Sequence, residues 1–221
     1  MGILLPKQQK KEAKTIHYSL AQSKNLLLIF TRNPELGKCK TRLAASIGDV
    51  AALEVYKILL EHTARTTQNL PVVKKVYYSE EIWENDIWDT RFFEKALQLG
   101  EDLGQRMAHA FLDGFQKGFQ KIVIIGSDMY DLSQTDLEEA FLCLEENDFV
   151  IGPAEDGGYY LLGMRHFKPD LFREKPWGKS TVYEETMAQL VHEKVHVLPV
   201  RNDIDVYDDI REIDVFKPYV K

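Results

Sequence analysis

Four cationic side chains, Arg32, Lys38, Lys40 and Arg42, crowd around Gly37 in the stretch Phe30-Thr-Arg-Asn-Pro-Glu-Leu-Gly-Lys-Cys-Lys-Thr-Arg-Leu43. That stretch directly follows the wholly apolar run Leu26 to Phe30, which reads as a strand buried on both faces. The cations therefore fall where a strand hands over to a helix. A helix start presents free backbone N–H groups to anions, and Lys and Arg add charge-assisted hydrogen bonds. In a chain of net charge −7 this local excess points to a polyphosphate, cradled by Arg32, Gly37, Lys38, Lys40, Thr41 and Arg42. A solvated basic loop is the plainer alternative. The position after the first strand of an α/β pattern favours the ligand.

Carboxylates supply the complementary chemistry. Asp128 follows the apolar run Ile122 to Ile125, at the strand end where open α/β sheets gather ligands. Beside a polyphosphate it is placed to hold Mg²⁺ or Mn²⁺, since Mg²⁺ takes one or two carboxylates plus phosphate oxygens. Ser133, in the capping box Ser133-Gln-Thr-Asp136, already starts the next helix, so Asp128 need not be its cap; Asp131 is a weaker rival ligand. Asp203 and Asp205 point the same way from an extended segment and can share a metal. Asp205 is the expected second ligand, while Asp208 and Asp209 enrich the first turn of a last helix.

A third group is Asp156-Gly157-Gly158-Tyr159. Paired glycines allow positive φ and close approach of a ligand, so these residues are expected to form a substrate-binding loop, with Asp156 holding a hydroxyl or acting as a base. Asp-Gly is also a strong turn signal, and turn and binding loop are compatible. Lys40, Arg42, Asp128 and Asp156 are the residues expected to carry catalysis.

The elements that must position these groups alternate strand with helix from Asn25 onward. Helices are expected from Val50 to Thr67 behind an Asp49 cap, along the Leu103, Met107, Phe111, Phe115, Phe119 stripe, after Ser133, from Ser180 to Glu193 and near Tyr207. Strands are expected at Val72 to Ser79, Ile122 to Ile125, Phe149 to Ile151, Tyr159 to Met164 and Val195 to Leu198. Glu80 to Lys95, with Trp83, Trp88, Phe92 and Phe93, reads as a packed helical insert. The sum is a three-layer α/β/α domain with a mostly parallel central sheet over 25–221, preceded by a lysine-rich tail over 1–24.

Composition narrows the function. The acidic balance argues against non-specific nucleic-acid binding. Two cysteines, Cys39 and Cys143, make no disulfide framework, and the apolar runs are too short to span a bilayer. With no signal peptide visible, a cytoplasmic protein is expected. The histidines show no metal-like spacing. Cys39 sits among cations that could lower its pKa but lacks a partner base, and Trp177 reads as packing before ligand cover. There is no Gly-x-Gly-x-x-Gly fingerprint, and Arg32 stands where a Walker A loop needs glycine.

Asn33-Pro-Glu-Leu-Gly-Lys-Cys-Lys-Thr-Arg-Leu43, Gly126-Ser-Asp-Met-Tyr-Asp-Leu132, Gly152-Pro-Ala-Glu-Asp-Gly-Gly-Tyr-Tyr-Leu-Leu-Gly163 and Asp203-Ile-Asp205 together resemble the glycosyltransferase-like family of radical-SAM/selenodomain-associated transferases. Gly100-Glu-Asp-Leu-Gly-Gln-Arg-Met107 fits the same pattern. That family is similar to the phospholactate guanylyltransferases and has the nucleotide-diphospho-sugar transferase (GT-A) fold. The resemblance implies a nucleotide or nucleotide-sugar donor over the strand ends, with phosphates on Gly37 to Arg42, a divalent metal on Asp128, and a small-molecule acceptor on the Asp156 loop. Tyr130 departs from the proline usual there, and the spacing at Asp128 is Asp-x-x-Asp. Glycosyl transfer is the leading expectation, nucleotidyl transfer with pyrophosphate release the next, and a non-catalytic nucleotide-binding protein the third.

Overall fold

Residues 23–220 are described by a computed structural model. The expected tail lies outside them except for Ser23 and Lys24, whose carbonyl accepts a hydrogen bond from Gln120 N at 2.7 Å. Among the described residues no helix is long and apolar enough to cross a membrane.

The chain runs β1 (Asn25–Thr31), α1 (Thr41–Ile47), α2 (Asp49–Gln68), β2 (Val73–Tyr78), β3 (Glu94–Leu97), α3 (Leu103–Gln116) and β4 (Lys121–Ile125). It continues as α4 (Gln134–Cys143), β5 (Phe149–Pro153), β6 (Tyr159–Met164), α5 (Val182–Gln189), β7 (Val195–Val197) and α6 (Tyr207–Ile210). Short 3₁₀ segments at Pro169–Phe172 and Asp214–Tyr219 complete it. The strands form one seven-stranded sheet in the order β3-β2-β1-β4-β6-β5-β7. Only β6 runs against its neighbours.

Alternation along the buried strands splits the core into two layers. Leu27, Ile29, Val123, Ile125 and Val150 face α1, α2 and α4 on one side. Leu26, Leu28, Ile122, Ile124 and Phe149 face α3 and α5 on the other. Strands covered on both faces need apolar residues at successive positions, which is why β1 and β4 read as continuous runs.

This topology places the site. Strand order runs outward from β1 through β2 to β3 on one side, and from β4 on the other. A crevice therefore opens where β1 and β4 lie side by side, with Ile29 paired to Ile125. The loop after β1 carries the cations and the loop after β4 carries Asp128, so a single strand pairing brings both motifs to one place.

Three expectations change. The segment from Glu80 to Lys95 has no helix; it is irregular until β3, whose pairing with β2 begins at Glu94. Asp86 and Asp89 accept backbone N–H bonds from Trp88 and Arg91 two residues on, at 3.0 and 2.9 Å, and such turns compete with helix. The aromatics still pack, Trp88 meeting Phe93 edge-on at 5.2 Å between ring centroids. An additional short helix, α1, separates the cationic loop from α2, so Asp49 is the first residue of α2 behind Gly48 and not its cap. The aromatic stripe also outruns its helix, since α3 ends at Gln116, before Phe119.

Candidate active site

Lys40 is the pivot of the cationic loop. Its backbone is left-handed, with φ 49° and ψ 46°, at the N-terminal boundary of α1. A non-glycine residue in that region costs of order 1 kcal/mol, so the surrounding contacts must hold it there. They turn its side chain inward, where it is 8% exposed and its Nζ lies 3.1 Å from Asp128 Oδ2. Burial alone would lower its pKa. The charges of Asp128, then Asp203 and Asp205, outweigh burial and hold it above the ordinary lysine value.

Two contacts absent from the sequence motifs fix this loop. Asn33, 3% exposed, accepts from Glu80 N and Glu81 N through Oδ1 and donates from Nδ2 to the Glu81 carbonyl at 2.9 Å. Tyr56 of α2 reaches up with its hydroxyl, which accepts from Arg32 N at 2.9 Å and lies 3.3 Å from Ser127 Oγ. Ser127 in turn donates to Thr31 Oγ1 at 3.1 Å. A buried hydroxyl cluster thus ties the end of β1 to the residue beside Asp128. Spacing gave no signal for Tyr56; it stands on the helix expected over Val50 to Thr67.

The second acidic group arrives through the backbone: Ile204 N donates to the Asp128 carbonyl at 3.2 Å. Asp205, expected as a metal ligand, pairs with Arg42 Nη1. Asp203 is the acid coupled to Asp128. Burial, then the neighbouring Asp128 charge, push its carboxyl up to about 6, with Lys40 pulling the other way and Asp156 adding to the rise. Asp209 accepts the backbone N–H groups of Asp205 and Val206 at 2.8 and 2.6 Å, and so shapes the start of α6. Arg201 holds both Asp131, at 3.0 Å, and Asp136, at 2.6 Å, which gives Asp131 a structural partner.

Three of the four loop cations therefore already have a carboxylate partner. Lys38 pairs with Glu35 at 2.8 Å, Lys40 with Asp128 and Arg42 with Asp205. Cys39 is buried, and burial raises its thiol pKa against the opposing pull of Lys40 and Arg32. The cations do not make it a nucleophile.

Two cavities open on this crevice. The larger, about 860 Å³, holds Arg32, Lys38, Lys40, Thr41, Arg42 and Arg106. The smaller, about 260 Å³, is mostly apolar, with Met107, Tyr159, Trp177 and Val182 among its walls and Asp156 and Gly158 at its polar side. Phe30, Leu103, Gly126, Asp128 and Asp203 line both cavities and mark their junction. Gly37 and Gly157 line neither. Gly37 instead makes the loop's turn with φ 74°.

The glycine pair is packed by contact as much as by turn. Asp156 Oδ1 accepts from Gly158 N at 2.8 Å, closing an Asx turn, and Gly157 has φ 86°. A Cβ on Gly157 would lie 2.1 Å from the Ser180 carbonyl oxygen. The same close approach lets Tyr183 N donate to the Gly157 carbonyl at 2.9 Å, joining the loop to α5. Gly157→Ala is expected to lower the melting temperature, by about 2–4 °C for each kcal/mol lost, because it adds a clash to an unfavourable φ. An unchanged thermal transition would contradict this packing. Trp177, read from sequence as packing, does both jobs: it abuts Gly104, where a Cβ would meet its Nε1 at 2.5 Å, and it walls the smaller cavity.

Comparison with known proteins agrees with this architecture. The profile of the family described as "Uncharacterized protein conserved in bacteria (DUF2064)" matches residues 62–179. A solved structure provisionally assigned as a nucleotide-diphospho-sugar transferase, from Desulfovibrio desulfuricans G20, is 30% identical with a TM-score of 0.79, covering 89% of this chain and 94% of its own. A 4-diphosphocytidyl-2C-methyl-D-erythritol synthase from Anaerococcus prevotii DSM 20548 is 9% identical with a TM-score of 0.57, covering 91% of this chain and 99% of its own. A cytidylyltransferase from Leptospira borgpetersenii serovar Hardjo-bovis is 16% identical with a TM-score of 0.50, covering 83% of this chain and 79% of its own. These last two share the fold alone. A search of the curated proteins returns no match.

Proposed function

The chain belongs to the DUF2064 family, and we propose that it is a metal-dependent transferase moving a glycosyl group from a nucleoside-diphosphate sugar to a small acceptor. The observation that carries the reading is the junction of the two cavities at Asp128 and Asp203, with Lys40 against Asp128. The larger cavity falls within the ~300–1,000 Å³ range of ligand pockets and takes the nucleoside diphosphate. The smaller takes the sugar or acceptor, so the bond to be broken lies between them.

A divalent cation fits this junction on electrostatic grounds. Five cations line the larger cavity (Arg32, Lys38, Lys40, Arg42 and Arg106) against six acids (Glu80, Glu101, Asp102, Asp128, Asp203 and Asp205). A diphosphate entering alone meets no net positive charge. Asp128 and Asp203 form a repelling pair, partly relieved by Lys40, of the kind a hard cation with phosphate oxygens satisfies. Bound there, Mg²⁺ or Mn²⁺ would supply Lewis-acid stabilisation of the departing diphosphate.

The chain's own residues do the rest. Lys40 can exchange Asp128 for a phosphate oxygen, and Arg42, 73% exposed, can likewise leave Asp205. As the glycosidic bond breaks, negative charge grows on the diphosphate where these cations converge. The acceptor oxygen bonds to the anomeric carbon, and its proton passes to a base. Asp156 is that base in this reading, a role supported by one of its oxygens being held by Gly158 N, which leaves the other to accept. Apolar walls around Trp177 and Tyr159 keep water from competing as acceptor.

One specific observation favours a second reading, nucleotidyl transfer. The grouping of Lys38, Lys40 and Arg42 on one cavity also suits departing pyrophosphate. Incubation with Mn²⁺, nucleoside-diphosphate sugars, nucleoside triphosphates and an acceptor mixture separates the two. Release of nucleoside diphosphate is expected; release of pyrophosphate would overturn glycosyl transfer in favour of nucleotidyl transfer.

A further inference from the structure

At the other end of the sheet, three side chains from two elements converge. Glu139 and Cys143 stand one turn apart on α4 and His196 lies on β7, with their ligand atoms all within 4.8 Å of one another. The topology explains the meeting. Residues spaced i, i+4 share a helix face, and Val195 packs into the layer under α3 and α5, so strand alternation turns His196 toward α4. The backbone beneath is fixed. Asn147 Nδ2 donates to the Cys143 carbonyl at 2.8 Å, Asp148 N donates to the Lys194 carbonyl at 2.8 Å, and His196 pairs in register with Val150.

None of the three ligating groups is engaged in a hydrogen bond or ion pair in the described residues. Glu139 is exposed and the other two are half-buried, so an ion from solvent can reach them. The cluster is separate from the crevice: His196 pairs near the start of β5, whereas the Asp156 loop leaves its far end.

We propose that Glu139, Cys143 and His196 form a second metal site, for Zn²⁺ or a similar d-block ion, that pins α4 to the sheet edge. Thiolate, imidazole and carboxylate together select such an ion over Mg²⁺. Ligand bonds of about 2.0–2.3 Å put tetrahedral ligand atoms roughly 3.3–3.8 Å apart, a small side-chain closure from the present spacing. The fourth position is left to water. Binding forms metal–S, metal–N and metal–O bonds, and the thiol proton passes to solvent. β7 has three residues and a single strand partner, so it is the element that such a crosslink would hold most.

Co²⁺ titration of the full chain tests the site, because a thiolate ligand gives a sulfur-to-cobalt charge-transfer band. One equivalent should develop the band in the wild type and in Asp128→Asn, Zn²⁺ should abolish it by displacement, and Cys143→Ser should never show it. His196→Ala should weaken binding at least about tenfold, given that even outer-shell partners are worth 10–100-fold. Zn²⁺ should also slow alkylation of Cys143 and hydrogen exchange at 195–197 in the unmutated protein, which keeps the test independent of how any variant folds. No band in the wild type, a band persisting in Cys143→Ser, or a band lost in Asp128→Asn would overturn the site.

Discussion

Asp128→Asn should cut turnover by about 10²–10³-fold or more, the cost of removing one well-placed charge-stabilising group, while the domain stays folded. The carboxylate stands at the junction of both cavities and faces Lys40 at 3.1 Å. Asparagine keeps the size and can still accept from Lys40, but it cannot offer an anionic ligand to a divalent cation. Asp128 is 36% exposed, so the fold does not rest on its burial. Steady-state kinetics beside circular dichroism checks this. Turnover within threefold of wild type in a folded variant would remove Asp128 from the chemistry.

Asp203→Asn should raise stability and abolish activity together. Burial and the Asp128 charge lift the Asp203 carboxyl to about 6 in the folded chain, against about 3.9 in an unfolded one. Between about pH 4 and 6 the folded chain therefore holds a proton that the unfolded chain has lost. This group's contribution to stability falls as pH rises through that window and stays low above it. Asparagine cannot ionise, so the variant should melt higher than wild type at pH 8, by about 2–4 °C for each kcal/mol of relieved repulsion. The difference should close as pH falls toward 4. Function gives the residue its reason to be acidic, a trade of stability for a ligand site. A variant no more stable than wild type at pH 8 would contradict the electrostatic account.

Much of this was legible in the sequence because it is local. Continuous apolar runs marked β1 and β4, and Ser133 with Asp136 marked the start of α4, where both halves of the capping box form. The convergence of the Gly37–Arg42 loop with Asp128 was inferable once those strands were taken as neighbours in a parallel sheet, and the pairing of Ile29 with Ile125 is that adjacency.

What was not legible depends on contacts between distant residues. No spacing rule says that Ile204 N binds the Asp128 carbonyl, and that bond brings Asp203 rather than Asp205 up against Asp128. Nor could the cation count show that Lys38, Lys40 and Arg42 each have a carboxylate partner. The helix expected over Glu80 to Lys95 failed because Asp86 and Asp89 bind nearby backbone N–H groups, a competition that aromatic periodicity does not register. His196 shows the same limit, since its neighbours Glu139 and Cys143 are more than fifty positions away in the chain.

The pairing of the loop cations puts the weight of the functional reading on the divalent ion. A cavity with more acids than bases should reject a bare diphosphate and accept its metal complex. Calorimetric titration of the wild-type chain with each common nucleoside diphosphate, once with Mn²⁺ and once with EDTA, measures this directly. At least one nucleotide should bind about tenfold or more tightly with the ion, a gain of at least ~1.4 kcal/mol, and the gain should vanish in Asp128→Asn. Equal affinity with and without the ion, or no binding by any nucleotide in either condition, would contradict the account.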